Sequence, residues 1–445
     1  MQTDVVILGA GAAGMTVALA VQARGLQAVL IDPMAQSPNN FAISGGLFPA
    51  AGSQLQHASG IDEQPEGWLA DVRAFAPDCV NENIASSVAH ALPEVVDFFI
   101  HRCDAPIHFL PDVVAPGHRT LRFHSIQPAS GARFHAWFRE QINQKPNLQF
   151  FQCISRVQRL AHGFSIHLQP TAGATEVQFE TRNLVLAGGG FGANADMVTT
   201  WIPAMAGALN NGSSTQDGST LQMGLQWGAQ VWGMDGFQGQ GHTHPGGATR
   251  LGMSIPSLGG VMVDRQGLRF VPEDLGPSSL APHVIGQPDG LALEIFDAFI
   301  EAQLKNHSAY QQALHADRVM SADTVQSLAQ VAGVNERGLE ETFRQVSLYA
   351  TGQAKDPLGR QAFPRVLEPP FKASWVTGAL SHTQGGLLTD ARGAVLGQDG
   401  QAIAGLFAAG GSAAGLAGRG ADGYLPGNGL AQAFGLGWRV AQALD

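Results

Sequence analysis

Three groups of residues have types and spacing suited to chemistry. Gly9, Gly11, Ala13 and Gly14 lie in Gly9-Ala10-Gly11-Ala12-Ala13-Gly14, between an apolar run and a stretch of small residues, a spacing that binds a dinucleotide pyrophosphate. Gly9 permits the tight turn, Gly11 lets a phosphate reach the backbone, and Gly14 lets helix and strand pack closely. Asp32, at the tip of the next apolar run, is placed to accept hydrogen bonds from ribose hydroxyls. The second group is His382, just before Gly385-Gly386, with Tyr424. A neutral imidazole at 382 can hydrogen-bond a carbonyl, and a charged one can offset developing enolate charge. Tyr424 can donate a proton or a hydrogen bond to a carbonyl, and Arg419 is a candidate anion partner. The third group is His118-Arg119-Thr120-Leu121-Arg122-Phe123-His124. If extended, it sends Arg122 and His124 to one side, where they could receive an anionic substrate; a solvated basic loop is the plain alternative.

The elements that must position these groups are an α/β set. Residues 4 to 32 read as a βαβ unit: the strand Val5-Val6-Ile7-Leu8, a helix to about Ala23, and the strand Ala28-Val29-Leu30-Ile31. The helix N-terminus offers unpaired N–H groups and about half a positive charge to the phosphates. Leu184-Val185-Leu186-Ala187 leads into Gly188-Gly189-Gly190, and Leu406-Phe407-Ala408-Ala409 into Gly410-Gly411. Three strand-then-glycine passages predict one sheet assembled from distant segments, with the ligand at its carboxyl edge near Ala187, Gly188, Gly189, Gly410 and Gly411. Asn428, Gly429 and Leu430 read as a helix N-terminus whose N–H groups suit the negative edge of a bound cofactor. Leu148 to Gln152 and Phe164 to Leu168 read as strands, and Ala292 to Leu304 and Ala322 to Ala332, the latter capped by Ser321, as helices. The organisation expected is a Rossmann-like domain over 1–235 and 366–445, interrupted by an α+β domain over 236–365.

Composition excludes several classes. The net charge is -11, which supplies no basic field for nucleic acid or an anionic membrane. Cys79, Cys103 and Cys153 form no CxxC pair, and His242 with His244 lacks a third ligand, so no metal site is expected. Met1 to Asp4 runs directly into the first strand without a basic leader, and no apolar run approaches ~20 residues. A cytoplasmic protein with no membrane partner is expected.

In order along the chain, Asn40 to Gly46, Thr215-Gln216-Asp217-Gly218, Val263 to Phe270, Ser321 to Ala329, His382-Thr383-Gln384-Gly385-Gly386-Leu387, and Leu406 to Gly411 followed by Pro426 to Leu430 resemble the motifs of the fumarate reductase/succinate dehydrogenase flavoprotein family, which also holds 3-ketosteroid and tricarballylate dehydrogenases. The resemblance covers almost the whole chain. It implies a GR2-type FAD domain with an inserted capping domain, and a small-molecule substrate oxidised or reduced at a C–C bond next to a carbonyl or carboxylate, by hydride transfer at flavin N5. It places Ser44, Gly45, Gly46 and Asp217 at the cofactor, and His244, in a histidine-proline turn, near the substrate.

The departures are equally specific. Phe270 is followed by Val271-Pro272-Glu273-Asp274-Leu275-Gly276-Pro277, without the family's proton-donating arginine, and Tyr424 stands where another arginine opens the last motif. Two guanidiniums suited to a dicarboxylate are missing, which argues against fumarate or succinate. The glutamate that follows Ala-Ala-Gly in the family is Gly411 here. No histidine matches the covalent flavin link, so the FAD is expected to be non-covalent. The electron donor or acceptor is left open. An FAD-dependent oxidase of a hydroxy acid or amine, and a non-catalytic nucleotide-binding protein, stand as alternatives.

Overall fold

The computed structural model describes residues 1–154, 156–169, 176–247, 251–252 and 254–444. β1 (Val5–Leu8) is fully buried, and after Gly9 the chain turns into α1 (Ala12–Ala23) and then β2 (Ala28–Ile31). α2 (Glu82–Cys103), β3 (Phe123–Ile126), α3 (Gly131–Asn143), β4 (Leu148–Phe151), β5 (Asn183–Leu186) and α4 (Ser219–Gln226) follow. The second unit carries β6 (Phe237–Thr243), β7 (Val261–Val263), β8 (Ala292–Asp297), α5 (Ala298–Leu304), α6 (Val325–Ala332) and β9 (Phe371–Thr383). The chain ends in β10 (Ala394–Leu396), β11 (Ala402–Ala408) and α7 (Asn428–Ala443).

The central sheet has the order β10-β11-β5-β1-β2-β4. All neighbours are parallel except β10, which runs antiparallel to β11. Val6 lies beside Leu184, and Leu184 beside Leu406. The three strand-then-glycine passages are therefore adjacent strands, and Gly9, Gly188 and Gly410 follow their carboxyl ends along one edge. Continuous apolar runs without alternation are what a sheet covered on both faces requires. α1 and α7 pack closely on one another: a Cβ at Gly437 would lie 3.0 Å from the Ala13 carbonyl oxygen.

Two compact units emerge, one of residues 1–202, 212–237 and 382–445, the other of 203–211 and 238–381. The return to the first unit comes at His382 rather than 366, because β9 pairs along Phe371 to Val376 with β8. The second unit holds its own buried core, including Val261, Leu293, Ile295, Phe296 and Leu328.

Two expected helices are shorter than read. Residues 292–297 form β8, every residue buried, and only Ala298–Leu304 is helical, capped by Asp297, whose Oδ1 accepts from the Ile300 N–H at 3.0 Å. Pairing with β7 on one side and β9 on the other overrides the local helical pattern. α6 starts at Val325, capped by Thr324 in a reciprocal box with Ser327, while Met320–Ala322 pairs with β9, so Ser321 is not the cap.

Candidate active site

At the nucleotide cradle, each glycine has a distinct physical role. Gly9 has φ +108°, and a Cβ there would strike the Ala187 carbonyl oxygen at 2.3 Å. A Cβ on Gly14 would lie 1.9 Å from the Gly9 oxygen, so this glycine sets the approach of α1 to β1. Gly11 differs, since a Cβ there meets nothing within 4 Å. It caps α1 without any side-chain hydrogen bond, so open space faces the bare N–H groups of the first turn. Asp32 Oδ2 accepts from the Ala10 N–H at 2.8 Å and Oδ1 from the Met34 N–H at 2.9 Å, which fixes the carboxylate beside the turn with lone pairs to spare.

The other glycine turns are built mainly for protein contacts. A Cβ on Gly188 would meet Thr220, on Gly189 Gln216, on Gly411 the Gly190 nitrogen, and on Gly46 the backbone of Ser130 and Gly131. Gly410, with φ +61°, faces Ala13, and Ala187 is buried. Gly45 is exposed, and Ser44 Oγ accepts from the Gly46 N–H at 3.0 Å. Two residues outside the candidate list hold the 188–191 turn. Gln216 Oε1 accepts from the Gly190 N–H (2.9 Å), and Thr383 Oγ1 from the Phe191 N–H (3.2 Å). Both lie inside motifs visible in the sequence. Asp217 itself is exposed, its Oδ1 accepting from the Ser219 N–H that opens α4 and its carbonyl from Asn194, so it builds this turn.

His382 and Tyr424 converge on Gly429, the second residue of α7. The two rings meet edge-on, centroids 5.7 Å apart. A Cβ at Gly429 would sit 3.4 Å from the Tyr424 hydroxyl oxygen and 3.7 Å from His382 Nε2, so only glycine leaves both polar atoms uncovered. Both residues are half-buried. Desolvation pushes His382 down to about 4, which makes it a neutral imidazole at pH 7. Desolvation raises Tyr424, while the nearby Gly429 backbone N–H works against that rise. The pair therefore presents neutral hydrogen-bonding groups rather than fixed charge. Next to them Asn428 is 4 % exposed, yet neither its amide oxygen nor its nitrogen has a partner. A buried amide with two unmet groups at a helix N-terminus fits a polar ligand such as the flavin ring.

α7 is held firmly. Phe434 packs in a ring cluster with Phe41, Phe48, Phe99, Phe134 and Phe138, at centroid distances of 5.0 to 6.0 Å. Gln432 Nε2 donates to the carbonyls of Gly410, Ala413 and Ala414 at 3.3, 3.2 and 2.9 Å. This ties the start of α7 to the turn after β11. Leu430 is half-buried in the first turn of α7.

The expectation that Arg122 and His124 receive an anionic substrate is corrected. Both are fully buried. Arg122 is held by Glu63 (2.5 Å) and Asp71 (2.6 Å), two carboxylates that already neutralise it together with Arg119, which pairs with Asp71. The His124 Nδ1–H donates to the Arg122 carbonyl (3.0 Å), so its Nε2 accepts from the Ser53 hydroxyl (2.8 Å). Burial pushes it down to about 4, and it is a neutral core histidine. Arg419 is exposed in a turn. In the second unit His244 Nδ1 accepts from the Gly246 N–H (2.9 Å) within its own turn, and desolvation and then Arg318 lower its pKa. The neighbouring His242 is buried against Glu294 at 2.8 Å. Among the described residues no group of three histidines, cysteines or carboxylates could hold a metal, and no helix is long and apolar enough to cross a membrane.

With this geometry in place, the comparisons with known proteins agree on a class. Residues 4–430 match the FAD binding domain family, and the chain belongs to it. It is an FAD-dependent oxidoreductase, in a family that acts on C–C bonds. The chain is 26 % identical over 419 residues to the Probable fumarate reductase Ifc3 of Shewanella frigidimarina, covering 92 % of this chain and 69 % of that protein. It is 31 % identical over 266 residues to an NADH:acrylate oxidoreductase of Vibrio harveyi, covering 58 % of this chain and 26 % of that protein. An open flavocytochrome c3 fumarate reductase superposes with a TM-score of 0.82 at 25 % identity, covering 100 % of this chain and 79 % of that one. A 3-ketosteroid delta1-dehydrogenase from Sterolibacterium denitrificans superposes with a TM-score of 0.77 at 18 % identity, covering 100 % and 99 %, which establishes shared fold.

Proposed function

We propose that the chain oxidises or reduces a C–C bond α,β to a carbonyl, with Tyr424 and His382 polarising that carbonyl and non-covalent FAD exchanging the hydride. The observation that carries the proposal is the convergence of Tyr424 Oη and His382 Nε2 on Gly429. Bound FAD supplies a hydride acceptor or donor at N5. Gly11 and the first turn of α1 would hold its pyrophosphate, Asp32 its ribose, and Asn428 with the N-terminus of α7 its ring edge.

The protein's part at the substrate is electrostatic. Hydride entering the β carbon leaves an enolate that takes up a proton from solvent at the α carbon. In the reverse direction, loss of the α proton to solvent forms that enolate before hydride departs. In both directions the charge to be stabilised lies on the carbonyl oxygen. Tyr424 Oη and His382 Nε2 lie beside one place, so as hydrogen-bond donors they would stabilise that charge with little reorganisation. A positive field near α7's first turn adds to them. A monocarbonyl substrate is favoured over a dicarboxylate. Arg122 is consumed by Glu63 and Asp71, and Tyr424 stands where the family resemblance leads one to expect an arginine. The electron partner is proposed to be separate from the substrate.

Anaerobic reoxidation of the chemically reduced protein tests this reading. Reoxidation by an α,β-unsaturated ketone faster than by fumarate is the expected result. Reoxidation by air alone, with no response to any enone or unsaturated acid, favours an oxidase and removes the proposal.

A further inference from the structure

The segment between Tyr424 and α7 is a tight turn whose form has two solutions. The Asn428 N–H donates to the Leu425 carbonyl at 3.1 Å, which closes a four-residue turn over Leu425-Pro426-Gly427-Asn428. Gly427 has φ +88° and ψ −11°, the third-position values of a type II turn, and proline is the usual second residue of that turn. A type I turn differs by a flip of the Pro426–Gly427 peptide. Glycine adopts either sign of φ readily, so residue 427 does not decide between the two forms. Planarity of the peptide makes the flip exchange the directions of the Pro426 carbonyl and the Gly427 N–H.

His118 decides it. Its Nε2–H donates to the Pro426 carbonyl at 2.8 Å, although the two residues are far apart in the chain. The Arg122 Nη1–H, which can only donate, points at His118 Nδ1 from 2.8 Å. Nδ1 must therefore be the acceptor and Nε2 must carry the proton. Arg122 is in turn fixed by Glu63 and Asp71, so two buried carboxylates orient the guanidinium that sets the tautomer.

We propose that His118 is a positioning residue for the flavin-facing turn: it holds the Pro426–Gly427 peptide in its type II orientation, with the Gly427 N–H turned away from His118 and positive polarity kept at the start of α7. This rests on the reading above, in which the start of α7 meets the flavin. Loss of the hydrogen bond would let the peptide flip and bring a carbonyl oxygen where an N–H stood, weakening the preference for reduced over oxidised FAD.

The test compares His118→Phe with His118→Gln in the FAD-loaded protein, reading the midpoint potential of the bound FAD and its dissociation constant. Phenylalanine keeps a ring against Phe123, 4.8 Å away, and loses both hydrogen bonds. Glutamine supplies one donor and one acceptor. A single hydrogen bond of this kind is worth roughly tenfold. His118→Phe should therefore lower the potential by about 30 mV, the two-electron equivalent of tenfold, while His118→Gln restores most of it. If His118→Phe does not fold, His118→Leu takes its place with the same expectation. Equal shifts in the apolar and glutamine variants, or none in either, overturn the proposal. Asn428→Ala is the control on the reading beneath it. If that variant leaves both FAD affinity and potential unchanged, the start of α7 does not serve the flavin and both conclusions fall.

Discussion

The imidazole of His382 and the phenol of Tyr424 meet edge-on, 5.7 Å apart at 62°, with their polar atoms turned toward one glycine at the start of α7. Both are kept uncharged by desolvation. A site so arranged stabilises charge that appears during reaction and offers little to an anion beforehand.

Gly11 and Gly14 belong to the same fingerprint and should fail differently. Gly14→Ala forces a Cβ onto the Gly9 carbonyl and should destabilise the fold by several kcal/mol, on the order of the cost of overpacking. Gly11→Val has open space for its side chain, so the thermal midpoint of the apoprotein should stay nearly unchanged. FAD affinity should nevertheless fall by at least about tenfold, because the valine fills the space the pyrophosphate needs. Fluorescence titration with FAD and a melting curve on each variant check both halves.

Much of this was legible in the sequence where the signal is local. Gly9, Gly11, Gly14 and Asp32 sit within one βαβ unit, so spacing alone places them around one turn. The neighbouring strands β5 and β11 were readable because a doubly covered sheet needs unbroken apolar runs. What was not legible depends on partners distant in the chain. Nothing near Arg122 announces Glu63 or Asp71, and an isolated basic cluster reads the same whether solvated or neutralised. Ala292 to Asp297 carries an apolar string compatible with a helix until β7 and β9 are seen on its flanks. Gln216 and Thr383 lay inside recognised motifs, yet only the structure shows them accepting backbone N–H groups.

Arg122 should matter to stability more than to substrate charge. Replacing it with methionine leaves Glu63 and Asp71 buried without their common partner. Breaking a buried pair in this way costs about 3–5 kcal/mol. Urea unfolding should show a loss of that size. A variant with unchanged stability and a raised KM for an anionic substrate would instead restore Arg122 to the binding site.

Acid should destabilise the chain through its neutral histidines. His124 is held down to about 4 from an ordinary 6.5, as is His382. The unfolded chain takes up these protons as pH drops through 6.5, while the folded chain resists until about 4. The stabilising difference is therefore complete above 6.5, is lost between 6.5 and 4, and does not change further below 4. The fully buried His124 alone accounts for on the order of 3 kcal/mol of that loss. His124→Gln should flatten the decline, as read from denaturant midpoints across this window.

The FAD should leave the protein intact on denaturation. Heating followed by centrifugation should release the whole flavin absorbance into the supernatant, chromatographing as FAD. Colour retained in the precipitated protein would show a covalent link.

The most direct test of the account is the rate at which an α,β-unsaturated ketone reoxidises the anaerobically reduced protein, measured in the parent chain, Tyr424→Phe and His382→Ala. Each variant removes one donor aimed at the developing oxyanion, and each should slow the reaction about 10²-fold or more while FAD stays bound. Unchanged rates in both variants, with full FAD occupancy, would contradict the account and place the carbonyl elsewhere.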